Sequence, residues 1–408
     1  MNGVLFNIGQ LATCPPHSAQ HEAGLIENAA LVIEDRTVAW VGPDEELPEY
    51  PPDFERHDCA GKLLIPGLVD CHTHLCFGGW RGDEFAQRIA GASYQDIAAA
   101  GGGIRSTVNA TRSARSTELA AKARDALEQM LALGVTTVEC KSGYGLEREA
   151  ELKQLQIYAD LDASQAISLV PTFLGAHIIP TEFETRREDY ISLLRDNLLP
   201  EIAAAELARF CDVFVEQGAY SVAEARSILG KARELGLGLK VHADQLASGG
   251  GAGLAAEMGA TSAEHLEYIS DAGIAALAAA GTVAVSLPIA SLYLGDRSLP
   301  ARRLIEAGVA VAVATDFNPG SSPSFHLPLA MTLACIKQRM TPQEVLCGAT
   351  VIAARALGLE GHAGSLVKGS QADLALIDAP DLNHWLYHFR ANACSAVMKA
   401  GQWEISPG

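Results

Sequence analysis

His72 and His74 stand at the end of an apolar run, Leu-Leu-Ile-Pro-Gly-Leu-Val-Asp-Cys-His-Thr-His-Leu, from 63 to 75. An extended backbone points residues i and i+2 to the same side, so the two imidazoles share one cavity and can offer two nitrogens to one metal ion. The plainer alternative is a pair of histidines hydrogen-bonded to backbone at a strand end. Polar residues close other apolar runs in the same way. Lys141 and Tyr144 close VTTVECKSGYG, His177 follows LVPTFLGA, and His242 and Gln245 close GLKVHADQ. His265 ends TSAEH, and Asp316 ends VAVATD, followed by Asn318, Gly320 and Ser321. A catalytic metal site needs three or four protein ligands and one open position, and His72, His74, His242 and Asp316 meet that need. A nitrogen-rich set favours zinc or iron over magnesium. Such an ion makes hydroxide available near neutral pH, so hydrolysis is the chemistry expected, with Asp316 able both to hold the metal and to shuttle a proton.

Lys141 reads in two ways: as a carboxylated lysine bridging two metals with His177 and His265, or as a lysine paired with Glu139 or a neighbouring carboxylate. His265 is expected to orient a group or move a proton. Arg81, on the first loop after the histidines, is the best local cation. A guanidinium grips a carboxylate through two parallel hydrogen bonds, which suits a small substrate with a carboxylate tail. The glycines at 101–103 and 249–251 are not followed by Lys-Ser/Thr and read as turn glycines, not phosphate loops.

Apolar strands alternating with Ala/Leu-rich helices must bring these residues together. A helix is expected over Thr117–Leu133, capped by Thr117, with Leu119, Ala123, Leu127, Met130 and Leu131 as its apolar stripe and Gly134 as its stop. Strands are expected at 63–75, 135–141, 168–172, 213–216, 238–242, 260–265, 282–287 and 309–316. Eight strands separated mostly by helices is the arithmetic of an α/β chain folded as a (β/α)8 TIM barrel, whose active site lies at the C-terminal ends of the strands. A doubly wound sheet is the competing arrangement, and no dinucleotide fingerprint supports it. Both ends of the chain look β instead, with a hairpin pairing 30–33 with 38–41 and short strands at 365–368, 372–378 and 393–399. After a helix at 342–357, residues 363–408 are expected to join residues 1–64 in one small sheet domain beside a hydrolase barrel of 65–362.

The chain has 408 residues, of which 49% are hydrophobic, enough for a sizeable core. A net charge of −19 argues against a nucleic-acid or anionic membrane partner and leaves an anionic substrate in need of its own cation. Nine scattered cysteines without CxxC spacing read as reduced thiols of a cytoplasmic protein. The start, MNGVLFNIGQ, lacks the features of a secretory signal. Ala272–Val285 is the most apolar stretch, but it is too short to span a bilayer and reads as a helix running into a buried strand.

Together the motifs PGLVDCHTHLCFGGWRGDEF (66–85), GASYQDIAAAGGGIRST (91–107), ECKSGYGL (139–146), TFLGAH (172–177), VHADQL (241–246), AEHLEY (263–268) and ATDFNPGSSP (314–323) resemble the imidazolonepropionase family of metal-dependent amidohydrolases. HxH alone would indicate only the superfamily; the joint presence of GASYQDIAAAGGGI, KSGYGL and TDFNPGSSP is far more specific. The resemblance implies a barrel beside a composite β-sandwich, and one zinc or iron ion per subunit on His72, His74, His242 and Asp316. It implies hydrolytic opening of 4-imidazolone-5-propanoate to N-formimidoyl-L-glutamate in histidine degradation, and a homodimer. It further implies that Arg81 pairs with the propanoate, that Tyr144 and His177 contact the ring, with His177 polarising the carbonyl, and that Asn318, Gly320 and Ser321 hold the product side. A deaminase of a heterocycle within the same superfamily is the alternative. Two departures stand out. Gln245 occupies a position where some family members have glutamate, so it would bind the ring and leave base work to Asp316 or His265. The run VSLPIASLYLG also differs from the family after its proline.

Overall fold

The computed structural model of the protein describes residues 2–92 and 101–407, and in it the apolar run before the histidine pair is divided between two sheets. The first sheet takes strands from both ends of the chain: Gly3–Ala12 (β1), Leu25–Glu34 (β2), Thr37–Pro43 (β3), Glu55–Asp58 (β4) and Leu63–Pro66 (β5). The second is an all-parallel sheet of eight strands in sequential order. These are Leu68–Asp70 (β6), Val135–Lys141 (β7), Ser168–Ala176 (β8), Phe210–Val215 (β9), Gly238–Ala243 (β10), Ser262–His265 (β11), Val283–Ser286 (β12) and Val311–Val313 (β13). Leu374–Ile377 (β14), Cys394–Lys399 (β15) and Gln402–Ile405 (β16) then return to the first sheet, where β14 lies antiparallel to β5. Helices fill most crossovers of the parallel sheet, as the (β/α)8 barrel expectation required.

Gly67 is the hinge of the divided run. A Cβ there would meet the Thr136 side chain at 2.3 Å, so only glycine lets the chain pass from one sheet to the other at this closeness. The expected single strand over 63–75 therefore ends at Asp70. His72 and His74 lie just past it, flanking Thr73, which forms a lone parallel bridge with Phe317 and keeps the backbone locally extended. The mixed sheet holds its own core, with Leu5, Ile8, Leu31, Ile33, Leu64, Leu374 and Met398 in one buried cluster.

The helix expected from Thr117 begins one residue earlier, at Ser116, and the Glu118 carboxylate caps it by accepting from Arg115 N at 3.2 Å. Its buried face is Leu119, Ala123, Ala126, Leu127 and Met130, as the periodicity requires; Leu131 is only partly buried. The helix expected over 342–357 is two, Pro342–Gly348 and Val351–Ala356, parted at Thr350. Ala272–Val285 is a helix, Asp271–Ala280, running into β12. No helix among the described residues is long and apolar enough to cross a membrane. Most of the motif GASYQDIAAAGGGI, residues 93–100, lies outside the described residues.

Candidate metal centre

Closure of the barrel builds the centre. Asp316 N donates to His72 O at 3.0 Å and His74 N donates to Phe317 O at 2.9 Å, lacing the loop after β13 to the loop after β6. Thr315 adds its hydroxyl, 2.6 Å from Asp70 Oδ2. Asp316 has a left-handed backbone, φ 55°, which Asp and Asn tolerate better than most residues. Its Oδ1 consequently stands 3.3 Å from His72 Nε2 and 3.4 Å from His74 Nε2. His242, on β10, brings its ring centroid to 4.6 Å from that of His72, and His265, closing β11, lies 5.4 Å from His242.

Two ligands bound to one tetrahedral ion at about 2.1 Å lie about 3.4 Å apart, which matches the Asp316 separations. Neither His72 Nε2 nor His242 Nε2 makes a hydrogen bond among the described residues, although both rings are buried. Buried ring nitrogens left unpaired are costly unless something fills the space between them. The donor set of His72, His74, His242 and Asp316 fits a metal ion. Burial holds His74 down at about 4, so at pH 7 its ring is neutral and keeps a lone pair. Burial opposes charge on His72 too, but Glu264 pulls it up to about 9. Burial likewise opposes the Asp316 carboxylate, yet its contacts with His72 and His74 keep it well below the usual range.

A cavity of about 470 Å³ opens from this cluster to the C-terminal face of the barrel. Of the residues singled out from the sequence, His74, Arg81, Tyr144, His177, His242, Gln245, His265, Asp316, Asn318, Gly320 and Ser321 line it, whereas His72 and Lys141 lie deeper. Arg81 is fixed by its Nε, which donates to Thr107 Oγ1 at 2.8 Å, and its guanidinium carries no salt bridge among the described residues. Gly320 makes room for it. A Cβ on Gly320 would stand 2.3 Å from Arg81 Nη1, and the obstructed group is the mobile end of a side chain, not backbone. Gly320→Ala is therefore expected to fold normally but to displace the guanidinium, raising KM for an anionic substrate about tenfold, a loss near 1.4 kcal/mol, with kcat little changed. Steady-state kinetics check this.

Tyr144 lies in a loop tied down by the buried Glu151 carboxylate, which accepts from Gly143 N at 3.1 Å, Gly145 N at 2.9 Å and Leu146 N at 2.8 Å. Burial pushes the Tyr144 phenol up, so it remains a donor. The loop after β10 is held similarly, because Asp244 Oδ1 accepts from Gly249 N at 2.7 Å and Gly250 N at 3.1 Å. These are turn glycines, as expected. Asn318 spends its side chain inside its own loop: Nδ2 donates to Asp316 O and Ser321 Oγ, while Oδ1 accepts from Gly320 N and Ser321 N. It shapes the wall of the cavity more than it reaches into it.

His177 is tied to the neighbouring loop through one ring nitrogen. Its Nδ1 lies 3.1 Å from Gly143 O, and a carbonyl oxygen only accepts, so Nδ1 carries the proton. Burial, with His74 and His242 nearby, keeps the ring well below 6.5 and hence neutral. The nitrogen left for the cavity, Nε2, is then an acceptor. In that tautomer His177 Nε2 suits a ring N–H.

Lys141 follows the plainer of its two readings. Its Nζ lies 2.9 Å from Glu139 Oε1, 2.8 Å from Asp212 Oδ2 and 2.9 Å from Glu264 Oε2. Burial opposes its charge, but these carboxylates hold it well above the ordinary lysine value. Carboxylation requires a neutral amine, whereas these three carboxylates favour the ammonium. Asp212, Lys240 and Glu264 were not among the residues singled out from the sequence. A signal existed: in strands that are otherwise apolar, Glu139 precedes Lys141 by two residues and Lys240 precedes His242 by two, the period of one strand face.

The chain matches the amidohydrolase family over residues 63–403. Imidazolonepropionase of Chloroflexus aggregans is 47% identical, over 98% of this chain and 97% of that protein. The imidazolonepropionase of Fusobacterium nucleatum is 46% identical over 98% of both. Among solved structures, a triazine hydrolase variant superposes with a TM-score of 0.77 at 17% identity, over 99% of this chain and 95% of that one. A zinc-bound adenosine deaminase from Xanthomonas campestris gives 0.71 at 19%, over 98% and 92%. At such identities these two speak for the fold alone, whereas the family match and the full-length relatives decide kinship: the chain belongs to the amidohydrolase family and, within it, to the imidazolonepropionases.

Proposed function

We propose that this chain hydrolyses the cyclic amide bond of 4-imidazolone-5-propanoate to give N-formimidoyl-L-glutamate. The observation that carries the reading is Arg81. A guanidinium fixed at its Nε and without a carboxylate partner among the described residues faces the same cavity as a three-histidine, one-aspartate cluster, which suits a small ring with an acid tail. His72, His74, His242 and Asp316 would hold one zinc or iron ion. When bound, that ion supplies Lewis acidity and lowers the pKa of water toward neutrality.

The chain's own residues do the rest. Arg81 binds the propanoate, His177 Nε2 accepts from a ring N–H, and Tyr144 donates from the adjacent wall. Asp316 Oδ2, 3.3 Å from the Ser321 hydroxyl, is free to take a proton from the attacking water and pass it to the departing ring nitrogen. The carbonyl carbon gains the oxygen of water, the ring C–N bond breaks, and the carbonyl becomes the new carboxylate. Gln245 offers an amide to the ring and cannot serve as base; His265 stands beside Asp316 as the second proton carrier. The reading carries with it a role in histidine degradation, a cytoplasmic homodimer, and no nucleic-acid or membrane partner.

Protein loaded with zinc or iron is expected to abolish the ultraviolet absorbance of imidazolonepropanoate without releasing ammonia. Stripping the metal with a chelator should end turnover, and one ion per subunit should restore it. Ammonia release from a heterocyclic amine would favour the deaminase alternative. Turnover of a different cyclic amide and not of this acid would sink the reading.

A further inference from the structure

Beneath the metal ligands, the barrel interior holds charged side chains that are fully buried: Glu139 and Lys141 on β7, Asp212 on β9, Lys240 on β10 and Glu264 on β11. They are connected across the barrel. Besides its three contacts to Lys141, the set is fixed by Lys240 Nζ, 2.7 Å from Glu264 Oε1 and 3.2 Å from Glu139 Oε1. Thr172 Oγ1 donates to Glu139 at 2.6 Å and Ser262 Oγ donates to Glu264 at 2.9 Å. Two of these carboxylates then reach up to the histidines. Glu264 Oε2 lies 2.7 Å from His72 Nδ1, and Asp212 Oδ2 lies 2.8 Å from His242 Nδ1. The oxygens that face the imidazoles are the same two oxygens that face the Lys141 ammonium.

We propose that Lys141 is the positioning residue of the metal centre: its ammonium fixes Asp212 and Glu264, which hold the Nδ1–H of His242 and His72 so that both Nε2 atoms turn to one ion. Each carboxylate oxygen needs a cation on one side to stay aimed at an imidazole N–H on the other, and carboxylate partners of this kind set both the tautomer and the orientation of a metal-binding histidine. The lysine is thus a resident cation below the metal. His74 lacks such a support: the carboxylate paired with it, Asp316, faces its Nε2 and not its Nδ1, which leaves its aim to the extended backbone at Thr73. The inference rests on the metal-centre part of the function proposed above, not on the identity of the substrate.

The test is zinc affinity, measured by competition with a chromophoric chelator, for Lys141→Met, which keeps the length and removes the charge. Folded variant, by circular dichroism, is expected to bind zinc about 10–100-fold more weakly than the unaltered protein, with KM for substrate nearly unchanged in the metal-saturated enzyme. Affinity within threefold of the unaltered protein would overturn the proposal. Should Lys141→Met fail to fold, zinc-loaded unaltered protein with 15N-labelled histidine decides: His72 and His242 are expected to keep slowly exchanging Nδ1–H protons and to bind zinc through Nε2. Binding through Nδ1, or Nδ1 protons exchanging as in solvent, would overturn it. These readouts involve no substrate, so they stand apart from a failure of the imidazolonepropanoate assay.

Discussion

Asp316→Ala is expected to lose turnover by on the order of 10⁴-fold or more, because one substitution removes the proposed metal ligand and the proposed proton carrier together. The variant should also leave a desalting column without metal. The reason is geometric: Asp316 Oδ1 is the anionic group within 3.3 Å of His72 Nε2 and 3.4 Å of His74 Nε2, and without it two buried imidazoles face one another unbridged. Alanine is also poorly suited to the left-handed backbone at this position, φ 55°, at a cost of about 1–2 kcal/mol. Asp316→Asn is therefore the companion, since asparagine accepts that backbone and copies the shape while losing the charge and the basicity. It should fold as the unaltered protein does, bind metal weakly, and still be inactive. Metal analysis beside the ultraviolet assay checks both variants; an Asp316→Ala protein that keeps its ion and more than about 1% of its turnover would remove Asp316 from the centre.

Arg81→Ala is expected to raise KM for imidazolonepropanoate on the order of 100-fold while leaving metal content unchanged. Hydrogen bonds to a charged group contribute about 1.5–3 kcal/mol each, and a guanidinium can make two to one carboxylate. Arg81→Lys keeps the charge but not the fork and should fall between the two. The nearby Thr107, which accepts from Arg81 Nε at 2.8 Å, holds the guanidinium in place before substrate arrives. An unchanged KM in Arg81→Ala would show that the acid tail binds elsewhere. The two variants thus separate the halves of the site: one loses metal and rate, the other loses affinity alone.

Much of the site was legible because its chemistry is local. Two histidines at spacing two, an arginine on the following loop, and polar residues closing apolar runs each carry their meaning in a few neighbouring residues. The eight-strand alternation was legible for the same reason, since strand and helix periods are short. What failed were features that depend on another part of the chain. The run over 63–75 looked like one strand because its apolar character is continuous, and only the pairing of β5 with β14 and of β6 with β7 divides it at Gly67. The partner of His177 Nδ1, Gly143 O, lies 34 positions away, so no local pattern shows which of its nitrogens faces the cavity.

The sequence by itself determined the barrel class, the hydrolase character, and the types and order of the candidate ligands with a nearby cation. These follow from side-chain identity and short-range periodicity. The tertiary structure decided which atoms face which. Barrel closure set Asp316 against His72 and His74, and the meeting of β7, β9, β10 and β11 put Lys141 under His242 of β10 and His72 of the segment after β6. The physical reason is that a buried charge takes its role from the partners that neutralise it, and those partners arrive only when distant strands meet inside one low-dielectric interior.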